Sequence, residues 1–167
     1  MNQTAIAKTL LIIYPGLADY ATMLGDRAHN HALCSCNTPL LTNRIINKII
    51  DLNVKQQTFR NLFERLKQTI DKLPTNTQAV VRSYYHAYGI ATNIPSQAKK
   101  LGIAERTFYR HLDRATIFIS QHFHQLGINF FTWQDLLHQH RWINETFTHQ
   151  CQLNPLQTPS HQTVLNH

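Results

Sequence analysis

The chain has 167 residues, enough for one domain with a buried core that needs no disulfide or metal staple. Sixteen Lys/Arg against nine Asp/Glu give a formal charge of +7, which points to an anionic partner, nucleic acid first. The cysteines, Cys34, Cys36 and Cys151, are an odd count, which argues against a secreted disulfide framework and for a reducing cytoplasm.

In chain order, Thr4 to Tyr14 reads as a short apolar helix stopped by Pro15-Gly16. Its apolar run, Leu10 to Ile13, is far shorter than the roughly 20 residues that cross a bilayer. Neither a basic leader nor a small-residue cleavage site accompanies it, so a cytoplasmic chain without a membrane partner is expected. Leu17, Tyr20, Leu24 and Ala28 suggest a second helix, and "NHALCSCNTP" reads as a loop. That loop holds His29, His31, Cys34 and Cys36, all zinc-type side chains. One-residue spacings within each pair would strain to surround a tetrahedral ion, so neither a metal site nor a cofactor is expected.

From Thr42 to Lys72 apolar residues recur at helical spacing: Ile45, Ile49, Leu52, Phe59, Leu62, Phe63, Leu66 and Ile70. Such a helix is about 46 Å long. Its apolar face suits either a bundle with the N-terminal helices or a homodimer seam. Pro74 breaks it, and Thr75 with Gln78 fits a capping box at the start of the next helix. That helix buries Val81, Tyr84, Tyr85 and Tyr88, and Gly89 ends it. After the connector Ile90–Asn93, Pro95 opens a short helix that closes at Leu101-Gly102.

The stretch "LGIAERTFYRHLDRA" then has the layout of a turn and a helix offered to a groove of DNA. Ala98, four residues before Gly102, lets two helices cross closely, and the glycine permits a left-handed turn. Phe108, Leu112, Ala115 and Ile119 give the second helix one apolar face; Glu105, Arg106, Tyr109, Arg110 and Asp113 form the other. Arginine's planar fork suits guanine in a major groove, while Lys99 and Lys100 on the preceding helix would meet phosphates. The expected DNA-binding set is Lys99, Lys100, Glu105, Arg106, Thr107, Tyr109, Arg110 and Arg114. Charge supports this placement. Residues 73–125 carry six Lys/Arg against two Asp/Glu, whereas residues 126–167 carry one against two. The ordinary alternative is a helical corner with a charged outer face.

The segment "LPTNTQAVVRSYYHAYG…PSQAKKLGIAERTFYRHLDRA" resembles the fourth region of primary-type bacterial sigma factors. With "RIINKIIDLNVKQQTFRNLFERLKQTIDKLP" before it, the match is closer to the ArpU/RinA-type phage late-transcription activators. The resemblance covers about residues 42–120. It implies a sigma-like helix-turn-helix, activation of phage or prophage late genes, and contact with RNA polymerase. Two positions depart from the pattern: Gln97, where an aliphatic residue often stands, and Ala104, where serine often caps the recognition helix. Alanine there forgoes about 1 kcal/mol, which Glu105 in the first turn partly offsets.

The recognition helix is expected to run on to about Gln125, with Gly127 beyond it. A last helix should span Thr132 to about His149, followed by a flexible tail in "QLNPLQTPSHQTVLNH". No nucleophile elbow, phosphate-cradling glycine loop or His-Glu-x-x-His occurs, so no enzyme is expected. The sequence therefore predicts an all-α protein in three parts: a helical N-terminal region 1–72 ending in the long helix, a helix-turn-helix 73–125, and a C-terminal helix and tail 126–167. Its expected role is a sequence-specific transcriptional regulator associated with the nucleoid, with double-stranded DNA, RNA polymerase and a second copy as partners. The alternatives are a small terminase-like packaging protein and a helix-turn-helix protein-interaction module without DNA.

Overall fold

The computed structural model describes residues 2–35, 42–86 and 93–153, and every regular element among them is a helix. The order is α1 (Gln3–Ser35), α2 (Thr42–Asp71), α3 (Thr75–His86), α4 (Ile94–Lys100), α5 (Glu105–Gln121), α6 (Phe123–Leu126), α7 (Phe130–Gln139) and α8 (Arg141–Leu153). No helix among them is long and apolar enough to cross a membrane.

The first departure from expectation is at Pro15, which lies inside α1 rather than ending it. Proline in a helix interior costs about 3 kcal/mol. Against that, Leu10, Ile13, Leu17, Ala21, Leu24 and Ala28 are buried along one face, in unbroken three–four phase through the proline. Burying a large aliphatic side chain is worth about 1.5–3 kcal/mol, so the shared face outweighs the break. The helix also runs through His29, His31 and Cys34 to Ser35, where a loop was expected. Cys36 to Leu41 lie outside the described residues.

Helix α2 is antiparallel to α1. Tyr14 stacks on Phe63 with ring centroids 5.3 Å apart, and Tyr20 meets Phe59 edge-on at 4.9 Å. The C-terminal half of α2 buries Phe59, Leu62, Leu66 and Ile70 inside the chain. The bundle reading therefore holds for those residues. The N-terminal half keeps Ile46, Ile50 and Val54 exposed.

The expected capping box is not what Gln78 makes. Its side-chain amide donates to the carbonyls of Asp71 and Leu73, both at 2.8 Å, and so closes the end of α2. Tyr88 to Thr92, including Gly89, lie outside the described residues.

Two further helices are each interrupted once. The helix expected to reach Gln125 breaks at His122, whose N–H turns back to Ile119, and α6 follows to Gly127. The single last helix expected over Thr132–His149 is two, split at His140 in extended backbone (φ −130, ψ 95). There Nδ1 of His140 shares a hydrogen bond with the Tyr20 hydroxyl at 3.2 Å, and the imidazole lies edge-on to Phe59 at 4.7 Å. A buried polar ring thus acquires a partner by leaving helical geometry. Helix α8 takes in Gln152 and Leu153, which were expected in the tail; residues 154–167 lie outside the described residues.

One main core draws on α1, α2, α3, α5, α6, α7 and α8, including Leu10, Phe59, Ala115, Ile119, Trp133 and Ile143. A small second cluster, Val80, Ala98 and Phe108, joins α3, α4 and α5.

Candidate nucleic-acid interface

Helices α4 and α5 meet at a tight corner. Asn93 caps α4, its side chain accepting from the Ser96 N–H, and Pro95 stands in the first turn. At the other end the Gly102 N–H donates to the Lys99 carbonyl and the Ile103 N–H to the Ala98 carbonyl, at 3.1 and 3.0 Å. This pair of bonds is a Schellman closure, and it needs a left-handed residue after the cap. Gly102 supplies it with φ +66. A Cβ there would meet no atom within 4 Å, so backbone sign alone selects glycine.

The corner is held from beneath. Ala98 is 1% exposed and Phe108 0%, and both pack on Val80 with Ile103 and Leu112 at the margin. The departure at Gln97 has a local reason: its Oε1 accepts from the Ser83 hydroxyl of α3 at 2.9 Å. The polar pair joins α3 to α4 where an aliphatic side chain would leave that hydroxyl without its partner. Ala104 precedes α5 with no side-chain cap, as its methyl dictates.

The expected binding residues divide into groups. Lys99 and Lys100 are exposed in the last turn of α4, and Glu105 and Arg106 in the first turn of α5. Arg106, Arg110 and Arg114 follow four residues apart along the solvent side of α5 and are all exposed. Among the described residues none of these five cations is in an ion pair. The remaining basic residue of α3 to α5, Arg82, is bound to Asp71 at 2.9 Å. Thr107 is half-buried. Tyr109 and Asp113 stand on one flank of the arginine strip, Asp113 about 20° from Arg106 around the helix. They line a cleft of about 310 Å³ shared with Lys8 and Ile12 of α1, Tyr84 of α3 and Gln150 of α8. Tyr109 is half-exposed there, at the edge of the strip.

Sequence reasoning missed two neighbours of that strip. Ile117, 57% exposed, lies between Arg106 and Arg110 in angle around the helix. Its spacing, opposite the apolar face of Phe108, Leu112, Ala115 and Ile119, was the available signal. His111 sits on the opposite flank, with Nδ1 2.9 Å from the Thr77 hydroxyl. Burial lowers its pKa below the usual histidine value, and the Arg114 and Arg110 guanidiniums lower it further.

His29, His31 and Cys34 lie along the last turns of α1, and among the described residues no three His, Cys, Asp or Glu side chains come together as a metal-holding group. No protein-family model, curated protein or solved structure matches this chain.

Proposed function

We propose that this chain is a sequence-specific, double-stranded DNA-binding transcriptional regulator that places α5 in a major groove. The observation that carries the reading is the corner itself. A glycine-closed turn joins two helices over the Val80–Ala98–Phe108 cluster, and five exposed cations without an ion-pair partner among the described residues flank it. An excess of unpaired cations on one convex element favours polyanions, because each phosphate contact releases condensed counterions. Arg106 and Arg110, nearest the start of α5, are assigned to base edges. Lys99 and Lys100 are assigned to phosphates, and Arg114 extends the strip. Tyr109 and Asp113 belong to the neighbouring cleft and are not assigned base contacts.

The resemblance of residues 42–120 to sigma-like phage late-transcription activators extends the reading to activation of phage or prophage late genes, with RNA polymerase as a protein partner. The protein would act in the bacterial cytoplasm, at the nucleoid, with no membrane partner.

The test is selection of bound fragments from a random DNA pool, followed by affinity measurement over a salt series. The expected result is an enriched motif. Lys99, Lys100 and Arg114, the cations left for phosphates, would give a log–log salt slope of about −2 to −3 per bound chain. Absence of salt-dependent binding overturns the proposal.

A further inference from the structure

Helix α2 carries a face that the other described residues leave open. Ile46, Ile50 and Val54 are 45, 54 and 60% exposed, four residues apart, and Leu33 at the same end of the α1–α2 hairpin is 59% exposed. Around them the exposed side chains of that face are Asn43, Asn47, Asn53 and Gln57. The charged residues of this half, Arg44, Lys48, Asp51 and Lys55, lie about 100–160° round the helix from Ile50, with Lys55 bound to Asp51 at 2.7 Å. A face about 21 Å long thus holds no charge in a chain of formal charge +7.

The face also repeats itself when read backwards from Ile50. Asn47 and Asn53 stand three residues to either side, Ile46 and Val54 four, and Asn43 and Gln57 seven. We infer that this face binds a second copy of the chain, with the two α2 helices antiparallel and the two-fold axis at Ile50. An isologous interface sets each residue against its mirror position in the other copy. Here Ile46 meets Val54 of the second copy, Asn43 meets Gln57, and Asn47 meets Asn53. Every apolar group faces an apolar group and every amide an amide. Amides at such a seam fix register, because a slipped pairing sets them against isoleucine. A parallel pairing would also match like with like, but it gives the backward symmetry no role.

The dimer does not depend on the DNA reading. Joined to it, the inference sets two α5 helices at opposite ends of the seam, so the bound sequence is an inverted repeat.

Sedimentation of the full chain at tens of micromolar should give the mass of two chains. Ile50→Glu, exposed in the lone chain, should keep its helicity and melting behaviour and weaken self-association at least tenfold. The second measurement uses Asn43→Cys and Gln57→Cys chains, each with Cys34, Cys36 and Cys151 replaced by serine. Mixed and oxidised, they should form the 43–57 disulfide in preference to either like pair. A single-chain wild-type mass, an undiminished Ile50→Glu dimer, or preferential 43–43 and 57–57 disulfides each overturn the inference; the first leaves the face to a different protein. Binding of Ile50→Glu to a single half-site is read separately. Its loss or retention bears on the DNA proposal and not on the dimer.

Discussion

The same substitution at two exposed glycines should have opposite signs. Gly16 lies within α1, and a Cβ there would meet no atom within 4 Å. Alanine in an open helix interior is favoured over glycine by about 0.5–1 kcal/mol, so Gly16→Ala should stabilise by that amount. Gly102 is equally open, but its φ is +66. An L-residue pays about 1–2 kcal/mol in that backbone region, offset by about 0.4–1 kcal/mol from the stiffer unfolded chain. The net cost of Gly102→Ala is about 1 kcal/mol, since no contact opposes or rewards the new methyl. The two variants should then differ by about 2 kcal/mol. In a chain of this size that is a separation of about 4–8 °C in melting temperature. Gly102→Asn should fall between wild type and Gly102→Ala, because asparagine tolerates the left-handed region better. Urea unfolding followed by circular dichroism, with the slope m unchanged, measures all three. A Gly102→Ala protein as stable as wild type would refute the Schellman closure at the α4–α5 corner, and with it the turn geometry on which the interface rests.

Gln97→Leu should cost about 1 kcal/mol, because the Ser83 hydroxyl then loses its acceptor. Adding Ser83→Ala should recover most of it, and a double-mutant cycle in urea with no coupling would remove that explanation. On DNA, Arg106→Ala and Arg110→Ala should each cost about 1–3 kcal/mol on the selected site and relax preference at one base pair. Lys100→Ala should weaken all sequences alike and reduce the salt slope by about 1; equal arginine losses on specific and scrambled DNA would refute the division. Stability should fall on acidification below about pH 6.5, because His140 and His111 both have pKa values lowered in the fold, first by burial. The unfolded chain then binds the proton more readily, so the neutral rings' contribution is complete above the unfolded value and is lost as pH falls toward the folded one. His140→Gln should flatten the melting temperature between pH 7 and 5, and an unchanged pH profile would count against this role.

The corner was legible because its residues act locally. Gly102, Ala98, Ile103 and Phe108 occupy positions that a tight helical turn dictates from spacing alone, and the structure places each as expected. The ends of the longer helices were not legible, because they are decided by contacts distant in sequence. Pro15 looked like a stop, yet the phase from Leu10 through Ile13 to Leu17 runs straight through it, and that phase was the signal to weigh. His140 gave no local sign of ending a helix; its break follows from Tyr20, 120 residues away. Gln78 fitted a capping box by spacing, but the open carbonyls of Asp71 and Leu73 lay nearer to hand. Tyr109 was placed with the arginines because it is polar and on the same half-turn. Only the packing of α1, α3 and α8 beside α5 shows that it borders a different cleft.

The way α5 is anchored carries one further expectation. Its first half rests on the small Val80–Ala98–Phe108 cluster, whereas Ala115 and Ile119 in its second half are buried in the main core with α1 and α2. The arginine strip and the open face of α2 are therefore parts of one packed body, with no linker to absorb a mismatch between them. If the chain pairs through Ile50 and reads DNA through α5, the distance between the two half-sites is set by the fold. Inserting about five base pairs, half a turn, between the half-sites would carry the second one to the far side of the duplex. The dimer should then bind through one half-site only and lose the avidity of two-point attachment, a factor of about 10² or more. Inserting a further five base pairs restores the facing side but lengthens the span by about 34 Å, so affinity should stay low. Gel-shift titrations of the selected site and its two lengthened forms read this directly. Equal affinity for all three spacings would mean that the two reading helices move independently, and would contradict the rigid connection through α1, α2 and the second half of α5.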